Sequence, residues 1–171
     1  KGLFPPVGAV RETGTTVIIE DLAFPVEQLA AGVAALHGLL ETHGYHAAGL
    51  FGHALQGNLH FVFTQSFESQ SEIERYGRFM DDLAQLVAVD FKGSLKAEHG
   101  TGRNMAPYVE LEWGRAAYQL MQCIKAAIDP KGILNPGVIL NVDSKVHLKN
   151  LKPMPPADPI IDRCIECGFC E

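Results

Sequence analysis

The chain has 171 residues, of which 47% are hydrophobic and 20% charged, with a net charge of −6 and four cysteines. That is enough for one domain with its own core plus a tail, and it excludes a disordered segment. The lack of a lysine or arginine cluster argues against nucleic acid as a partner, and the longest weakly polar stretch, Leu29 to Leu40, is broken by His37 and two glycines and falls far short of the roughly 18 apolar residues of a transmembrane segment.

The first strand signal is the β-branched run Thr15 to Glu20 after the turn-forming Thr13-Gly14. Phe24-Pro25 then opens a helix in which Leu29, Val33, Leu36 and Leu40 recur on one face, ending at His43-Gly44. Two strand-like runs follow, Tyr45 to Phe51 and Leu59 to Thr64, joined by GHALQGN as an antiparallel pair. Ser71 with Glu74 reads as a capping box for a helix carrying Ile73, Tyr76, Met80, Leu83 and Val87. The segment GSLKAEHGTG reads as a strand running into a functional loop. Pro107 and Glu110 open a third helix with Trp113, Ala117, Leu120, Ile124 and Ile128 on its expected buried face, where Cys123 also reads as buried, and Asp129 to Gly132 closes it with a type I turn. The order β-α-β-β-α-β-α fits an α+β fold, a ferredoxin-like antiparallel sheet with helices on one face.

These elements predict one domain over residues 1–142. Four of the ten prolines fall between Pro153 and Pro159, so residues 143–160 read as a proline-rich linker. Residues 161–171 read as the start of a truncated iron-sulfur domain. There Cys164, Cys167 and Cys170 stand at C-x2-C-x2-C spacing, three of the four ligands of a 4Fe-4S site. A thioredoxin-like motif or half of a zinc site would leave the third thiol unexplained. Clustered thiolates imply a reducing compartment, so the expected location is the cytoplasm.

The densest polar cluster outside the cysteines is GHALQGNLH. It sets His53 and His60 on either side of a strand connection, where they read either as polar loop residues or as two ligands converging on one ion. Glu98 and His99 are adjacent in KAEHGTGR, and in an extended segment one faces a metal while the other faces a substrate. Two histidines, a carboxylate and open positions suit zinc or another divalent first-row ion. His37, His43, His46 and His147 read as surface residues without a role. Asn135, in the ILNPG turn, either caps locally or reaches a ligand.

Taken together and in this order, GTTVIIEDLAFP, GHALQGNLH, LKAEHGTGRN, DPKGILNPG and CIECGFC resemble the C-terminal part of FAD-linked oxidases of the D-lactate dehydrogenase and glycolate oxidase group, in the long bacterial form with an appended iron-sulfur domain. The resemblance implies a cap domain lying over a flavin held mainly by an upstream FAD-binding domain of the same polypeptide. It implies His53, His60 and Glu98 as ligands of a divalent metal, His99 as catalytic base, and Asn135 near the FAD. The implied activity is oxidation of a small 2-hydroxy acid, with the C2 hydride passing to FAD and the electrons leaving through iron-sulfur clusters downstream. On this reading the chain alone is inactive, and the parent has no transmembrane segment, though it can sit at the periphery of the inner membrane.

Two departures bear on substrate. Leu55-Gln56 stand where Gly-Asp often precedes Gly57 in the family, so a carboxylate beside the metal is missing. Ile19 and Val62 occupy the places of a lysine and an asparagine used by 2-hydroxyglutarate dehydrogenases, which favours D-lactate or another monocarboxylate. The competing functions are a zinc-dependent hydrolase built on His53, His60 and Glu98, and a non-catalytic electron-transfer or docking module.

Overall fold

The computed structural model of the chain describes residue 7 and residues 9–164. Its elements are β1 (Thr16–Ala23), α1 (Leu29–Thr42), β2 (Gly49–His53), β3 (Asn58–Gln65), α2 (Gln70–Ala84) and α3 (Val109–Ile128). The sheet is antiparallel in the order β1-β3-β2. β3 takes the centre because its sequence, NLHFVFTQ, is apolar enough to be covered on both faces. The fold is thus α+β, as the pattern of elements predicts.

The expected fourth strand is reduced to a single antiparallel bridge between Ala23 and Ser94, on the β1 edge where a ferredoxin-like layer would carry it. It extends no further because the next amides are committed elsewhere. Leu95 N–H donates to the Glu112 carboxylate, and the Glu98 and His99 amides donate to Asp21. Two boundaries also differ. Residues 45–48 form a turn, so β2 starts at Gly49, and the cap of α2 is Ser69, two residues before the expected one, its hydroxyl accepting Glu72 N–H. Ser-x-x-Glu occurs twice in register here, and only the first copy stands at the change from extended to helical backbone.

Pairing across the ladder divides the sheet into two faces. Leu22, Leu59, Phe61 and Phe63 point toward α1 and α2, where they meet Leu36, Leu40, Tyr76, Phe79, Met80 and Leu83. The Phe79 ring stands edge-on to Tyr45, Phe61 and Phe63, so one side chain joins helix, turn and sheet. The opposite face carries Asp21, Phe51, His53, Asn58 and His60, with the 94–104 segment beside it.

The third helix departs from expectation. Val109 is buried, but Gly114 takes φ 78° and ψ 159°, a conformation closed to other residues, and kinks the helix. Trp113 just before it and Leu120, Ile124 and Ile128 beyond it, all expected inside, are 58%, 61%, 51% and 72% exposed, and Cys123 is exposed as well. The apolar periodicity is real, but no described part of this chain covers it. Trp113, Ile124 and Ile128 of the stripe, with Met121, Leu134, Val138, Ile139 and Leu140, line a cleft of about 540 Å³.

His147 also differs, since it is buried. Tyr108 Oη donates to Asp81 Oδ1 at 2.8 Å and lies 3.1 Å from His147 Nε2, which ties the turn Val146–Leu148 to the body within the stretch read as linker. Of the three clustered cysteines, Cys164 is exposed, while Cys167 and Cys170 lie outside the described residues. No described helix is long and apolar enough to cross a membrane.

Candidate functional site

The site grows from the sheet face opposite α1 and α2. Side chains alternate along a strand, so directly opposed residues share a face. Asp21, His60 and Phe51 form one row, and Ala23, Asn58 and His53 form the next. The Phe51 ring stacks on His60 at 5.3 Å, which fixes the imidazole plane. The connection between β2 and β3 is a short turn, Ala54–Gln56, closed by Gly57 at φ 68°. A Cβ at Gly57 would stand 2.1 Å from the Phe24 carbonyl oxygen, and Phe24 N–H donates to the Gly57 carbonyl at 2.9 Å. Only glycine permits that approach.

Facing these rows is the 94–104 segment, fixed from both ends. Ser94 Oγ and Leu95 N–H donate to the Glu112 carboxylate. Further along, Lys96 pairs with Glu20, whose other oxygen accepts from the Asn104 amide. Tyr76 Oη donates to Asn104 at 3.1 Å, and burial pushes its hydroxyl well above the usual phenol range, so it remains a donor. Between these anchors Asp21 Oδ2 accepts the Glu98 amide at 2.6 Å and the His99 amide at 3.3 Å.

The result brings all four sequence candidates of this cluster together. Glu98 Oε1 lies 3.0 Å from His60 Nε2, 3.7 Å from His53 Nε2 and 3.8 Å from His99 Nε2. The His53 and His60 rings stand at 84° with centroids 5.7 Å apart, and His99 stacks on His60 at 5.1 Å. One donor atom each from His53, His60 and Glu98 falls within 4.8 Å of the others, the spacing of three donors around one ion. Two imidazole nitrogens and a carboxylate suit zinc or a similar divalent ion, and this set leaves open positions. Asp21, His60 and His99 form a second such group, in which Asp21 Oδ2 accepts two amides and Lys96 Nζ lies 3.7 Å from Oδ1. Next to these donor groups, Ala23, Gln56, Asn58, Ser94, Lys96 and Ala97 line an open cleft of about 530 Å³ that also reaches His53 and Glu98.

Asn135 is exposed, with φ 41°, in a turn tied to the far end of the His99 loop: Ile139 N–H donates to the Gly102 carbonyl at 3.2 Å and the Arg103 guanidinium donates to the Pro136 carbonyl. Sequence reasoning missed Asp21, Glu20, Lys96 and Asn104, the residues that hold the loop.

Over residues 1–139 the chain matches the family of FAD linked oxidases, C-terminal domain. It belongs to that family. Among its relatives, glycolate oxidase subunit GlcD of Bacillus subtilis is 31% identical over 139 residues, covering 81% of this chain and 29% of that protein. The mitochondrial D-2-hydroxyglutarate dehydrogenase of Rattus norvegicus is 37% identical over 116 residues, covering 68% and 21%. D-lactate dehydrogenase of Anaerostipes hadrus is 29% identical over 136 residues, covering 77% and 28%. The chain therefore spans under a third of the length of these FAD-linked relatives.

Proposed function

We propose that this chain is the substrate-facing part of an FAD-dependent dehydrogenase of D-2-hydroxy acids, with D-lactate or a similar monocarboxylate as substrate. The observation that carries the reading is His99 beside a two-histidine, one-carboxylate donor set, on a sheet whose neighbouring row, Ile19 and Val62, is apolar. The family and the activities for which its relatives are named supply the reaction class.

His53, His60 and Glu98 would hold a divalent ion, which when bound supplies the Lewis acidity that makes a substrate hydroxyl more acidic. FAD, when bound, would supply the hydride acceptor for C2. The residues of this chain do the rest. His99 takes the hydroxyl proton at Nε2, the ring nitrogen nearer Glu98, as the C2–O bond becomes a carbonyl. Phe51 and His99, stacked against His60, hold the three rings in a fixed order. Ile19 and Val62 offer the substrate tail no charge partner.

The exposed stripe of α3 and the Asn135 turn are assigned to the contact with the flavin-bearing part of the polypeptide. Cys164, Cys167 and Cys170 are assigned to a 4Fe-4S cluster that carries electrons onward, in a reducing cytoplasmic setting. The test is anaerobic mixing of the full-length flavoprotein with D-lactate. Bleaching of the flavin supports the reading; no bleaching with D-lactate, glycolate or D-2-hydroxyglutarate sinks it. This chain alone is expected to show no turnover, and zinc-dependent ester or amide hydrolysis by it would favour a hydrolase.

A further inference from the structure

The least expected residue in the site is Asp21, a carboxylate at 0% exposure next to two histidines, His60 and His99. Burying a carboxylate is costly unless its oxygens are used. Oδ2 is used, accepting the backbone amides of Glu98 and His99. Oδ1 is buried without a hydrogen-bond partner. Its two near neighbours are His99 Nδ1 at 3.6 Å and Lys96 Nζ at 3.7 Å. Lys96 holds Glu20 with one of its three N–H groups, and the imidazole of His99 turns Nδ1 toward the same Asp21 oxygen from the other side. The same ring turns its other nitrogen, Nε2, toward Glu98.

We propose that Asp21 is a positioning residue for proton transfer, holding His99 in the tautomer that carries its proton on Nδ1 and leaves Nε2 free as the base. The inference rests on the role given to His99 above. One carboxylate then does two jobs. Through Oδ2 it sets the backbone of the metal ligand and of the base together, and through Oδ1 it selects which nitrogen of the base is bare. A shift of about 0.8 Å closes the 3.6 Å gap to a charge-assisted hydrogen bond. Position in the sheet makes this reliable, since Asp21 is the cross-strand partner of His60 and cannot move without the ladder.

Asp21→Asn separates the two jobs. The amide oxygen still accepts from the Glu98 and His99 amides, so the NH2 group must face His99 Nδ1, where it donates and drives the proton to Nε2. Nitrogen-15 NMR of histidine-labelled chain at alkaline pH, where imidazole is neutral, reads the tautomer without flavin or substrate. The expected result is Nδ1–H in the wild type and Nε2–H in Asp21→Asn. A wild-type His99 protonated on Nε2 overturns the proposal even if the variant fails to fold.

In the full-length flavoprotein, Asp21→Asn is expected to lower the single-turnover rate of flavin reduction by D-lactate by roughly 10²–10⁴-fold, the range of wrong-tautomer effects. Zinc and flavin content should stay unchanged and KM should move little. Reduction within about 3-fold of wild type, or loss of zinc from the variant, overturns the positioning role. A wild-type flavoprotein that none of the three hydroxy acids reduces contradicts the proposed function instead, and the tautomer alone then decides the present inference.

Discussion

Ile19 and Val62 are directly opposed across the β1–β3 ladder, on the same face as His60 and one row from it. The row beside His60 on this side therefore carries no charged partner, with Val62 buried and Ile19 half-buried. The full-length enzyme is expected to show a kcat/KM for D-lactate at least about 10-fold above that for D-2-hydroxyglutarate, because a second carboxylate there has no partner. The double variant Ile19→Lys, Val62→Asn should reverse the preference, as steady-state kinetics with both acids would read; an unchanged ratio would place the tail elsewhere.

Zinc titrated into this chain should bind once, and His60→Ala should weaken binding by about 100-fold or more, since a three-ligand set that loses one is no longer a first-row site. Glu98→Gln should weaken it less, keeping an oxygen but losing the charge. Calorimetry with both variants measures this, and equal affinity in wild type and His60→Ala would exclude the donor set.

His147 ties stability to pH. Burial holds its pKa below the ordinary histidine value, against the opposing pull of Asp81 and Asp143. A folded-state pKa below the unfolded one means that the unfolded chain binds more protons between the two values, so the stability contributed is complete above about pH 6.5 and lost as pH falls toward the folded pKa. Urea midpoints should drop between pH 7.5 and 5.5, and His147→Asn should flatten that slope. An identical slope in the variant would assign it to other groups.

Phe79→Ala should cost about 3–5 kcal/mol, because the ring is fully buried among Tyr45, Phe61 and Phe63 and the sheet cannot collapse into the space. Equilibrium denaturation of the chain gives the value; a loss below about 1 kcal/mol would mean that the core rearranges.

The α3 stripe predicts the opposite behaviour. Ile124→Glu with Ile128→Glu should leave the melting temperature of this chain unchanged and make it less prone to associate, since neither side chain is covered. In the full-length protein the same pair should loosen the fit of this domain to the remainder, seen as faster proteolysis between them. Unaltered proteolysis would mean that the stripe has no cover there either.

The clustering of His53, His60, Glu98 and His99 was legible because their residue types are rare in such spacing. His53 and His60 needed only the strand connection between them to be brought to one face. Asp21 was not legible. An aspartate ending a β-branched run reads as a solvent-facing strand end, and its burial depends on amides 77 and 78 residues away. The α3 stripe was misread for a related reason. Periodicity tells which face of a helix is apolar, not which molecule or segment lies against it. The fourth strand failed on competition for amides, and His147 on a partner, Tyr108, that only the fold brings near.

The tight closure at Gly57 sets what kind of change the hairpin can absorb. Leu55 is 88% exposed and Gln56 is exposed too, so either can be replaced without moving a histidine. Length is another matter. One residue added or removed within β3, between the closure and His60, would send that ring to the helix-covered side of the sheet. Across this stretch the chain is free in spelling but fixed in count, and divergence among sequences of this kind should appear as substitutions at 55 and 56 and almost never as gaps.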